Sequence, residues 1–123
     1  MRFVMLSIKS AVVTALQSAT ALSTMTGIYP NYPPNFISLP SVSYFEIANN
    51  VSLSADNQEI AAGITYQIDL WGKSSLTAYA QAVDSIMTGL EFARVACEEL
   101  YETDTKIIHK AMRYRVDYSD PNF

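Results

Sequence analysis

The chain has 123 residues, half of them hydrophobic, with eight Tyr, one Cys and a formal net charge of −4. This length fits one domain, residues 1–123, burying about two-thirds of its unfolded surface, and the apolar content excludes a disordered chain. The acidic balance and the scattered Lys and Arg argue against tight nucleic-acid phosphate binding; the lone Cys97 excludes an intrachain disulfide and reads as a buried thiol.

The first stretch, Met1 to Leu22, is small, apolar and almost free of acid. Ile8, Val12, Ala15, Leu16, Ala19 and Leu22 follow helical spacing, with Ser7 as a cap and Gly27 as a stop. The same stretch has a rival reading as a secretory signal, with Ala19-Thr20-Ala21 as the cleavage site; Lys9 inside the apolar run counts against it. No run approaches the ~20 apolar residues of a membrane-spanning helix. Residues 1–6 and 119–123 are expected to be disordered ends, with Met5 an alternative start.

Four of the five prolines fall between Ile28 and Pro40, which makes this an extended connector with a short edge strand at Ile28 to Tyr32. Ser41 to Ala48 reads as a strand. Asn49 to Glu59 is polar and turn-rich and reads as a long, mobile exposed loop. Ile64 to Leu70 alternates strictly, with Ile64, Tyr66, Ile68 and Leu70 on one side, so it should be a central strand. Ser75 to Leu90 is an amphipathic helix capped by Ser74 or Ser75. Phe92 to Tyr101 is a strand whose imperfect alternation suggests a bulge, and Ile108 to Tyr118 is its hairpin partner. The plan is α+β: a mostly antiparallel sheet with two helices on one face.

Candidate chemistry is sparse. His109 stands alone, and a single Cys leaves no His/Cys zinc set. No phosphate-binding glycine loop or serine nucleophile elbow is present. Glu98, Glu99, Glu102 and Asp104 lack the ligand ladder of a calcium loop and read as a solvated hairpin end. Glu46 and Asp69 could face each other across adjacent strands as paired carboxylates, although no cleft can be argued around them. The residues therefore point to a non-enzyme with no catalytic, cofactor-binding or metal-binding set.

From Leu39 onward the chain resembles the siphophage tail-completion and tail-to-head joining proteins. Leu39-Pro40-Ser41-Val42-Ser43-Tyr44-Phe45-Glu46, Tyr66-Gln67-Ile68-Asp69-Leu70-Trp71, Val83-Asp84 with Ile86-Met87, Leu100-Tyr101-Glu102-Thr103-Asp104-Thr105 and His109-Lys110-Ala111-Met112-Arg113-Tyr114 carry the likeness in order. Leu90-Glu91-Phe92-Ala93-Arg94 resembles a Leu-Gly-Phe-x-Arg pattern with Glu91 in the glycine place. The resemblance spans about two-thirds of the chain. It implies an α+β fold shared with tail terminators and no catalytic residues. It also implies a virion protein, made in the host cytoplasm, that forms a ring of its own copies, commonly sixfold.

In that picture the ring sits between the head connector or head-completion protein and the tail tube protein. DNA passes through it without specific binding, and no membrane is involved. A ring needs a heterologous interface that closes. Trp71 is a candidate anchor, with a core cap as the equal alternative; Tyr101 is a second candidate. Arg94 and Arg113 could form inter-subunit ion pairs, although a solvated face suits them better. The alternative function is a secreted or periplasmic small binding domain without catalysis.

Overall fold

The computed structural model describes residues 5–36, 38–56 and 58–119. Helix α1 (Lys9–Ser18) leads into a 3-10 turn (Thr20–Leu22) and strand β1 (Ile28–Pro30). Strands β2 (Ser41–Ala55) and β3 (Gln58–Gly72) form a long hairpin; helix α2 (Thr77–Gly89) follows, then the hairpin of β4 (Ala93–Tyr101) and β5 (Ile108–Ser119). The sheet order is β1-β2-β3-β5-β4. β1 lies parallel to β2, and every other pairing is antiparallel.

The strict alternation of β3 places it at the centre, paired on both sides. Ala62, Ile64, Tyr66, Ile68 and Leu70 point to the helix side, where they meet Val42 and Tyr44 of β2 and Met112, Tyr114 and Val116 of β5. Val12 and Leu16 of α1 and Leu76, Ala80, Val83 and Met87 of α2 close this core from above. Leu6 and Ile8 belong to it as well. Cleavage after Ala21 would strip four core side chains, Leu6, Ile8, Val12 and Leu16, so the apolar start is part of the fold.

The described ends are ordered further out than their sequence suggests. Leu6 is buried and donates its backbone N–H to Glu59, and Ser119 pairs with Ala61. The remaining end residues, 1–4 and 120–123, lie outside the described residues. Helix α1 stops at Ser18, well before Gly27: Ala19 turns extended and Ser18 Oγ donates back to the Thr14 carbonyl. Gly27 instead opens β1, where an added Cβ would collide with the Tyr29 ring.

The largest departure concerns Asn49 to Glu59. It is not a loop. β2 runs on to Ala55 and pairs with β3 down to Ala55↔Gln58. Extra residues at Ile47 and Ser52 shift the register, which scrambles the period-two pattern that marks a strand in sequence.

Helix α2 ends in a Schellman arrangement. The Phe92 N–H donates to the Met87 carbonyl and the Glu91 N–H to the Thr88 carbonyl, while Phe92 packs into the core. Glu91 has φ 70, the left-handed region that favours glycine. That is the position at which the family pattern noted above has glycine.

Candidate assembly surface

The face of the sheet away from the helices carries a buried polar cluster at one end. Asp69, only 2% exposed, accepts hydrogen bonds from His109 Nε2 at 2.7 Å and from Gln67 Nε2 at 2.9 Å. Gln67 in turn accepts from Arg113 at 3.0 Å. Trp71, 6% exposed, lies flat on His109 with ring centroids 3.8 Å apart, and its indole N–H donates to Ser43 Oγ at 3.0 Å. Of the proline-rich connector, Phe36 packs edge-on against the indole and Tyr32 lies tilted beside it. A carboxylate so buried requires this many donors, because desolvation otherwise disfavours the charge.

Ser, His and Asp all occur in this cluster, but they do not form a relay. The hydroxyl of Ser43 is engaged by an indole N–H, which cannot take its proton, and the imidazole bonds the carboxylate on one side and stacks on the indole. A nucleophile needs its base within hydrogen-bond reach. The arrangement is a polar clasp that locks the connector onto the sheet.

Glu46 and Asp69 do not face each other. Glu46 stands opposite Tyr66 on the helix side, and Asp69 stands opposite Ser43 on the other face. Among the described residues no group of three or more His, Cys, Asp or Glu could hold a metal ion. The acidic residues of β4 and its turn are exposed, and Glu99 pairs with Lys110 at 3.7 Å.

The four candidate interface residues are not brought together. Trp71 lies inside the subunit. Arg113 is on the far face beside Gln67. Arg94 is exposed on the helix side, 3.8 Å from Asp84, which also accepts from the Tyr114 hydroxyl at 2.9 Å. Burial and that hydrogen bond push the Tyr114 hydroxyl well above its ordinary pKa. Tyr101, 58% exposed, stands at the end of β4 on the helix side, opposite Ile108.

Sequence reasoning missed the open edges of the sheet. All nine residues of β4 are exposed, including Val95, Leu100 and Tyr101. Cys97 is exposed too, contrary to the buried thiol expected: α2 leaves a groove of about 350 Å³ over it instead of covering it. At the opposite edge β1 covers only Val42 to Tyr44, so among the described residues β2 from Glu46 to Ala55 pairs with no outer strand. Ile47, Val51 and Leu53 are exposed there. Long unpaired edges with apolar side chains invite another strand.

Beside the β2 edge, a recess of about 350 Å³ opens on the helix side, lined in part by Met5, Lys9, Tyr44, Glu46 and Tyr66. The Tyr66 side chain is buried, and among the described residues its hydroxyl has no hydrogen-bond partner. Burial, with Glu46 and Tyr44 nearby, pushes its pKa up to about 12.

The architecture, one five-stranded sheet with both helices on a single face and two open edges, is a fold used by components of phage and phage-like particles. A chain from the virion of a native gene transfer agent particle superposes with a TM-score of 0.67 at 13% identity, over 93% of this chain and 96% of that one. The bacteriophage SPP1 gp17 protein superposes with a TM-score of 0.55 at 15% identity, over 94% and 91%. No protein-family model and no curated protein matches the sequence.

Proposed function

We propose that this chain is a structural virion protein of a long-tailed phage or phage-like particle. In this reading it completes the tail and joins it to the head, as a ring of six copies between the head connector and the tail tube. The observation that carries the reading is the near-complete match of the whole fold to a virion component, with no large insertion on either side. Two further points support it. The ordered motifs from Leu39 to Tyr114 resemble tail-completion proteins. The two open edges lie on opposite sides of the sheet, as a heterologous, ring-closing contact requires.

In this reading the work is done by surfaces. Each pairwise contact can be weak, because ring closure and the flanking head and tail parts add avidity. Arg94, Arg113 and Tyr101 are the exposed members of the candidate interface set. Trp71 contributes from within, by fixing the connector. The test is deletion of the gene followed by electron microscopy of the lysate. Filled heads and separate tails are the expected result, and intact, infectious tailed particles would contradict the function.

A further inference from the structure

Resting on that reading, we propose that neighbouring copies join by strand addition: β4 of one copy pairs antiparallel with the free β2 edge, Glu46 to Ala55, of the next, and seats Tyr101 in the recess beside Tyr66.

Polarity comes first. β2, β3, β5 and β4 alternate in direction, so β4 runs opposite to β2. A copy repeated by rotation about a ring axis therefore presents its β2 to β4 in the antiparallel sense, the more stable ladder. Length agrees as well: β4 spans nine residues, and the uncovered part of β2 runs from Glu46 to Ala55. The free β2 edge carries no charge from Ile47 to Ala55, so the acidic β4 meets no like charge along that run.

Side-chain parity then sets the register. On β4, Tyr101, Glu99 and Cys97 share the helix side with Ile108, Lys110 and Met112. On β2, Glu46, Asn49 and Val51 share it with Tyr66, Ile64 and Ala62. Placing Tyr101 beside Glu46 puts Glu99 beside Asn49 and Cys97 beside Val51, with Leu100 and Ala48 together on the other face. Val51 is 59% exposed in the single copy and gains a neighbour in the pair.

This register delivers Tyr101 to the mouth of the recess. An exposed aromatic ring finds an apolar rim there, formed by Met5 and Tyr44, and a hydroxyl that lacks a partner. A buried hydroxyl without a hydrogen bond is costly, and a neighbouring Tyr hydroxyl supplies one. In this register Lys9 on the same rim comes near the acidic end of β4, where Glu99 points to the helix side.

The joint also dictates a stagger. Within one copy, β4 is level with the part of β2 around Ser41 to Ala48, which includes the stretch β1 covers. The next copy must therefore be displaced along the strands by most of the length of β4. In a closed ring that displacement appears as strand tilt, the geometry that closes a barrel.

The lone Cys97 makes the test clean, because Val51→Cys supplies its only designed partner. Particles are assembled with the full-length Val51→Cys chain, oxidised mildly and run on denaturing gels. A ladder of disulfide-linked multiples is expected, absent when Cys97→Ser is added and at least tenfold weaker for Asn50→Cys, whose side chain points to the other face. Particles that hold the variant chain without a ladder overturn the edge pairing and leave the ring reading standing. Particles that form without the chain at all, in variant or unaltered form, overturn the ring reading. Tyr66→Phe gives a second readout: thermal stability of the free chain holds or rises, while incorporation into particles drops several-fold. Incorporation at the unaltered level would overturn the seating of Tyr101.

Discussion

Strands β3 and β4 belong to one sheet and differ in almost everything else. β3 is paired on both sides and fills the core with Ile64, Tyr66, Ile68 and Leu70. β4 is paired on one side only, and all nine of its residues are exposed although it carries Val95, Leu100 and Tyr101. Burial holds the subunit together at β3; at β4 it is left unfinished. Uncovered apolar side chains on an unpaired strand are the surface that the proposed strand addition would bury.

Substitutions should separate the two strands. Ile68→Ala removes a fully buried side chain at the sheet centre and should cost about 2–5 kcal/mol of stability by chemical denaturation. Leu100→Thr on β4 should stay within about 0.5 kcal/mol in the same measurement, because surface changes in the free chain disturb little. Equal losses at both sites would erase the distinction.

Alkaline pH offers a smaller effect at the centre. The Tyr66 hydroxyl is raised from 10.0 to about 12, so the folded chain holds the neutral phenol where the unfolded chain ionises. This contribution, of order 2–3 kcal/mol, is fully present below pH 10.0 and lost as pH rises towards about 12. Ultraviolet titration of tyrosinate should show Tyr66 ionising late, together with loss of structure. Tyr66→Phe should remove its share of the alkaline sensitivity.

Much of this was legible in the sequence where one rule governed one segment. β3, β5 and α2 declared themselves because their period is intact and each meets the core along one side. The β2–β3 hairpin did not. Asn49, Asn50, Ser52 and Ser54 look like loop residues, and they form a strand only because β3 supplies the ladder partners. The clasp was half visible: Trp71 stood out by type, whereas Ser43 of β2 and His109 of β5 meet it from the strands on either side and Asp69 holds His109, with Ser43 and Trp71 28 residues apart and Asp69 and His109 40 apart. The open edges were invisible, since which strand ends up outermost is a property of topology. Exposed Cys97 follows from the same cause, as α2 leaves an open groove between itself and β4.

Amide hydrogen exchange, compared between the free chain and the chain in assembled particles, distinguishes edges that pair on assembly from edges that stay open. β3 from Ile64 to Leu70 should be protected in both states. β4, Ala93 to Tyr101, and the β2 edge, Glu46 to Ala55, should exchange fast in the free chain and become protected together on assembly. Edge amides that exchange equally fast in both states would contradict the strand addition.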